Sequence, residues 1–287
     1  MTAVKEINNM LQQRIITGVV MAAVFLLAVV TLPTFAMAAL LLIVATLGGW
    51  EWAALAGWQK PVAKVVYALG VPFFATIFWF VCDLSGQPSQ SLVRPYMGFA
   101  GLLWSLAMLL VKSYPQGQWL WRQSALRNVL GWLFLSLAWL SVVYLLTLDN
   151  GPLLLILLIV LVVSADVGAF FTGKTFGKHK LAPAVSPGKT WEGLWGGLLC
   201  VLAVTTLVWL NLPASYSHLR LESLLLAGLA TGGASVLGDL TFSMFKRCSG
   251  VKDSGSLLPG HGGLLDRLDS ICGAAPVFTL ALMLAGY

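Results

Sequence analysis

Residues 152–173 read PLLLILLIVLVVSADVGAFFTG, a run in which the only ionisable side chain is Asp166. An α-helix of this length rises about 33 Å, enough to cross the hydrocarbon of a bilayer. The rest of the chain reads the same way. Of its 287 residues 59% are hydrophobic and 10% charged, with 12 Trp and a mean hydropathy of +0.88. Soluble domains sit nearer 45–50% apolar and about 25% charged. The expected fold class is therefore an all-α polytopic membrane protein.

Applying the span-length criterion outward from this run gives nine spans, near 15–32, 34–56, 62–82, 96–112, 126–147, 152–173, 192–212, 222–245 and 270–286. The first competes with a signal-peptide reading, since Lys5 and Arg14 precede it and Ala36-Met37-Ala38 resembles a cleavage site. It is longer than a signal core, and a second apolar run follows at once, which favours a retained span. Residues 1–150 then form an N-terminal region of about five spans, and 151–287 a catalytic region of about four. No internal repeat or separate soluble domain is visible.

The basic residues test this count. With the N-terminus inside, the cytoplasmic segments hold Lys5, Arg14, Lys60, Lys64, Lys112, Arg122, Arg127, Lys174, Lys178, Lys180, Lys189, Lys246, Arg247, Lys252 and Arg267. Only Arg94 and Arg220 fall outside, an asymmetry that places the N-terminus in the cytoplasm and the C-terminus outside. The net charge of +6 is thus topogenic, and nucleic acid is not an expected partner. Cys82, Cys200, Cys248 and Cys272 are too dispersed to suggest a disulfide framework or a cysteine metal site.

The chemistry is expected where acids interrupt apolar runs. Asp166 lies eight residues before Lys174 and Asp239 seven before Lys246, so both sit about 10–12 Å inside the cytoplasmic ends of their helices. A carboxylate at mid-bilayer costs on the order of 3 kcal/mol on insertion scales, and faces a wet cavity or a partner. A helix-to-helix hydrogen bond or a neutralised acid is the plainer alternative. Asp266 and Asp269 share a helix face by their i, i+3 spacing, where capping by the helix dipole competes with metal binding. Together with Asp239 they form a set of hard oxygen donors suited to Mg²⁺. Lys246, Arg247, Lys252, His261 and Arg267 stand nearby, among glycines that include Gly262 and Gly263. Carboxylates beside basic side chains and exposed backbone amides describe a polyphosphate site. Gly168 to Thr175 also fits the pattern G-x4-G-K-[ST], but an apolar run of span length precedes it where a P-loop needs a short strand. The match is read as chance.

Ser243 to Asp269, SMFKRCSGVKDSGSLLPGHGGLLDRLD, resembles the signature of phosphatidate cytidylyltransferases, also called CDP-diglyceride synthases. A second block is similar to another region of that family: Ala165-Asp166, Gly168-Ala169, Gly173-Lys174, Phe176 to Lys180 and Ser186 to Gly193. Gly188 stands where many members have Lys, and Phe170 where many have Tyr. The resemblance covers mainly residues 160–270. It implies that CTP and phosphatidic acid yield CDP-diacylglycerol and pyrophosphate with Mg²⁺, at the cytoplasmic face of a bacterial inner membrane. Asp239, Asp266, Asp269 and Lys246 are then the expected catalytic residues, the three acids holding the metal. Ser186, Lys189, Thr190, Ser243, Arg247, Lys252, His261, Gly262, Gly263 and Arg267 are expected at the substrates, with Asp166 in support. A second cation and a homodimer are left open. A transporter would show inverted repeats around a midplane site. A CDP-alcohol phosphotransferase would carry D-G-x2-A-R followed by G-x3-D-x3-D, a pattern missing from this sequence. A non-catalytic scaffold gives no reason for so dense a polar motif.

Overall fold

The computed structural model describes residues 18–86, 88–117, 119, 123–258 and 262–287. The chain forms helices α1 (Gly18–Thr31), α2 (Thr34–Leu55), α3 (Pro61–Ala68), α4 (Gly70–Val81), α5 (Gln90–Ser113), α6 (Ser124–Thr147) and α7 (Gly151–Phe176). A hairpin of β1 (Lys180–Ala182) and β2 (Ser186–Thr190) follows, and then α8 (Trp191–Leu210), α9 (Leu221–Cys248) and α10 (Leu265–Ala285). With α3 and α4 taken as one span over Pro61–Val81, eight helices among the described residues are long and apolar enough to cross a membrane. The shorter α1 occupies most of the expected first span, whose residues 15–17 lie outside the described residues.

Local sequence sets the helix ends. Prolines open α3 and α7, where the missing N–H has no acceptor to lose. Thr190 caps α8 by accepting the Gly193 N–H at 3.1 Å. Two boundaries matter for function. Helix α9 runs on to Cys248, so Lys246 and Arg247 are helical rather than part of a loop. Helix α10 begins at Leu265, ahead of the apolar run at 270–286, and carries Asp266 and Asp269 in its opening turns as their shared-face spacing implies. The expected all-α architecture holds, with one short hairpin beside the helices: β1–β2 pairs Lys180 with Thr190 and Ala182 with Ser186. The P-loop-like stretch lies inside the unbroken α7, and a Cβ at Gly168 would meet the Gly196 carbonyl of α8 at 2.8 Å. Its glycine serves helix packing.

The core joins both halves of the chain. Trp52 of α2 is fully buried, and its ring lies 5.1 Å from those of both Phe242 and Phe245 of α9 and 6.0 Å from Phe134 of α6. Its Nε1 donates to the Arg127 carbonyl at 2.8 Å, which satisfies the one polar atom that burial would otherwise orphan. Helices α9 and α10 approach backbone to backbone. A Cβ on Gly238 would overlap the Asp269 carbonyl, and one on Gly273 would stand 3.0 Å from the Gly238 Cα. This contact sets Asp239 beside Asp269. The variant Gly238→Val is expected to lose about 1–3 kcal/mol or more of stability through overpacking, seen as a lower thermal midpoint in detergent.

Candidate active site

Three chain segments converge at the end of the bundle that carries the hairpin. Lys189, near the end of β2, reaches Asp239 on α9, with Nζ 2.7 Å from Oδ2 and 3.5 Å from the Val236 carbonyl. One turn further along α9, Ser243 donates to the other Asp239 oxygen at 3.1 Å. Another turn on, Lys246 donates to Asp266 Oδ1 at 2.6 Å, and both side chains of this pair are largely buried. The second Asp266 oxygen accepts the backbone N–H groups of Ser254 at 3.0 Å and Gly263 at 3.1 Å. Asp266 therefore ties together the two ends of the loop between α9 and α10. Asp269 is 7% exposed; its Oδ1 accepts the Ser270 N–H at 2.7 Å, and its Oδ2 has no hydrogen-bond partner among the described residues.

Beside this cluster opens a cleft of about 430 Å³, lined by Asp166, Phe170, Lys174, Lys189, Thr190 and Val236 among others. Asp166 and Lys189, both from the upstream motif block, thus share one cavity. Lys174 lies over the Phe170 ring at 5.7 Å. Arg247 points its Nε at the Val185 carbonyl, 3.4 Å away, and so ties α9 to the hairpin turn. Ser186 begins β2, and Lys252 and Arg267 are exposed. Gly262 adopts a left-handed backbone with φ 81°, which lets the loop turn into α10. His261 lies outside the described residues.

The chain matches the sequence profile of the Cytidylyltransferase family over residues 12–285. It belongs to that family. The likeness also extends well beyond the 160–270 block legible from motifs. A phosphatidate cytidylyltransferase of Pseudomonas aeruginosa is 44% identical over 280 residues, 97% of this chain and 99% of the relative. One of Haemophilus influenzae is 38% identical over 281 residues, 94% of this chain and 98% of the relative. A Bacillus subtilis enzyme of the same name is 46% identical over 127 residues, 43% of this chain and 45% of the relative.

The donor set of this cytidylyltransferase bears on the metal. Among the described residues no group of three or more His, Cys, Asp or Glu side chains is arranged to hold a cation. Of the three expected acids, Asp266 is the most heavily engaged, its oxygens taken by Lys246 and by two backbone amides. Asp239 and Asp269 are neighbouring hard-oxygen donors, with Lys189 on one Asp239 oxygen and the Ser243 hydroxyl on the other. This pair fits a cation that keeps several waters and takes one or two protein carboxylates, as Mg²⁺ does.

Sequence reasoning missed Glu51 of α2. It is 3% exposed, and it accepts from Ser254 Oγ at 2.9 Å, the Leu264 N–H at 3.1 Å and the Leu265 N–H at 2.8 Å. Its signal was available: an acid inside the expected span 34–56, the criterion that singled out Asp166 and Asp239.

Breaking one partner of a buried ion pair leaves an uncompensated charge and costs about 3 kcal/mol, whereas replacing both is far milder. Lys246→Met is therefore expected to lower the thermal midpoint strongly. Adding Asp266→Asn should restore part of the loss, a comparison that differential scanning calorimetry in detergent would make.

Proposed function

We propose that the protein transfers a cytidylyl group from CTP to phosphatidic acid, forming CDP-diacylglycerol and pyrophosphate, at the cytoplasmic face of a bacterial inner membrane. The observation that carries this reading is the convergence of Lys189, Asp239, Lys246, Asp266 and Asp269 at one end of a membrane bundle. The names of relatives that align over almost the whole chain support the substrates.

The chemistry asks for charge neutralisation more than for a base. A phosphate monoester has a second pKa near 6, so phosphatidic acid already presents a dianionic nucleophile at neutral pH. One of its oxygens attacks the α-phosphorus of CTP, the bond from that phosphorus to the bridging oxygen breaks, and pyrophosphate leaves with the bonding pair. Lys189 and Lys246 oppose the repulsion between the two anions, and Lys174 extends the positive lining along the cleft. A cavity of this size is in the range of small-molecule sites. Thr190 and Ser186 fix the hairpin that carries Lys189, and Ser243 orients Asp239. Exposed Lys252 and Arg267 are placed to meet phosphate groups arriving from water. Asp239 and Asp269 would hold Mg²⁺, which when bound supplies electrophilic stabilisation at phosphoryl oxygens.

Purified protein incubated with phosphatidic acid, Mg²⁺ and each labelled nucleoside triphosphate in turn is expected to release pyrophosphate and label the lipid with CTP alone. No product with CTP would sink the reading. Asp269→Asn, folded and membrane-inserted, is expected to lose on the order of 10²-fold in rate. Undiminished Mg²⁺-dependent turnover would remove Asp269 from the metal site. For orientation, Lys178→Cys in a cysteine-free background should react with an impermeant thiol reagent in inside-out vesicles and stay unlabelled in right-side-out ones.

A further inference from the structure

Glu51 lies in the half of the chain for which the motif blocks give no role, yet its carboxylate is the hub of the loop that shapes the site. The N-cap position of α10, Leu264, has no side-chain cap of its own. The first N–H groups of a helix lack intrahelical partners and carry the positive end of its dipole. Glu51 supplies the missing acceptor from 213 residues away, taking the Leu264 N–H on Oε1 and the Leu265 N–H on Oε2. The same Oε2 accepts from Ser254 Oγ, while the Ser254 N–H donates to Asp266 Oδ2. A continuous chain of hydrogen bonds thus runs from Glu51 through Ser254 to Asp266 and on to Lys246. No slack surrounds it. A Cβ added at Gly255 would overlap the Glu51 carboxylate, and one at Gly263 would stand 2.7 Å from Oε2. Being 3% exposed, Glu51 is beyond the reach of a nucleotide arriving from water.

We propose that Glu51 is a positioning residue for the reaction: through Ser254 and the first turn of α10 it holds the segments 249–258 and 262–264 in the register that presents Asp266 and Asp269 to α9. The proposal rests on the cytidylyltransferase reading for its catalytic readout and on geometry alone for its structural one. Glutamine has the shape of glutamate but turns an amide group toward backbone donors, so Glu51→Gln disturbs the hub without opening a cavity. Ser254→Ala cuts only the link to the loop, and Ser254→Thr keeps the hydroxyl.

The test uses the full-length protein in detergent. Trypsin should cleave after exposed Lys252 several-fold faster in Glu51→Gln and in Ser254→Ala than in the parent, with cleavage after Lys178 and Lys180 on the hairpin side unchanged. In the transfer assay, kcat should fall about tenfold or more, as misplaced reacting groups require, while KM for phosphatidic acid stays within about twofold. Ser254→Thr, which keeps the hydroxyl but adds a methyl group at a buried position, should fall between Ser254→Ala and the parent in both measurements. Unchanged cleavage after Lys252 in both variants would overturn the proposal, and so would cleavage that rises equally at Lys178, since Glu51 would then hold the fold and not the loop. A raised KM at constant kcat would also count against it. If the parent protein itself transfers no cytidylyl group, the functional reading fails separately, and the cleavage pattern still decides the role of Glu51.

Discussion

The backbones of α9 and α10 touch at Gly238 and Gly273, and the positions of the acids depend on that contact. Side chains between two helices normally hold their axes 8–10 Å apart. Glycine on both sides removes that spacer, so Asp239, which follows Gly238, stands beside Asp269, whose carbonyl Gly238 covers. Two helices that met through leucines would carry the same carboxylates too far apart to act on one ligand. The tight crossing is therefore a condition of the chemistry as well as of packing.

Bringing carboxylates together in a low-dielectric bundle creates a second constraint, because each unpaired charge is costly there. The structure meets it by distributing cations from different segments. Lys189 comes from the hairpin to Asp239, and Lys246 comes from the end of α9 to Asp266. The extra turns of α9 up to Cys248 place Lys246 over α10, which a loop would not fix as firmly. These pairs also define what an incoming anion meets. In the proposed reaction, phosphate groups would compete for the same two lysines and a cation would compete with Lys189 for Asp239, linking substrate binding to the rearrangement of these pairs.

Much of this was legible in the sequence because the bilayer simplifies the code. Uninterrupted apolar length marks a span, and eight of the nine expected appear at full length among the described residues. Asp239, Asp266, Asp269 and Lys246 stood out because charge is rare in this chain. What the sequence hid was pairing. Hydropathy says that Lys189 is polar, and nothing in its spacing says that it reaches across to Asp239 rather than into solvent. Likewise, hydropathy does not show that Lys246 and two backbone amides take the Asp266 oxygens while Lys189 and Ser243 take those of Asp239. The cap of α10 was hidden for a related reason. Its first turn is capped by Glu51 from another helix, so no local capping residue announces it.

That distant cap also explains why the catalytic segments need the first half of the chain. A loop rich in glycine has high conformational entropy, and holding it in one shape requires contacts that its own sequence does not provide. Glu51 anchors one end of the loop at α10. Arg127 of α6 anchors the other: its Nη1 donates to the Leu55 carbonyl at the end of α2 at 2.8 Å and lies 3.5 Å from Ser249 Oγ, which itself donates to Leu55 at 2.8 Å. A cation at the C-terminal end of α2 is also favoured by that helix's dipole. The buried Trp52, one residue after Glu51, locks α2 against α6 and α9 and so fixes the height at which both anchors sit. The N-terminal helices are thus the frame that holds the described ends of the glycine-rich loop, and the site is a property of the whole bundle rather than of its last four helices.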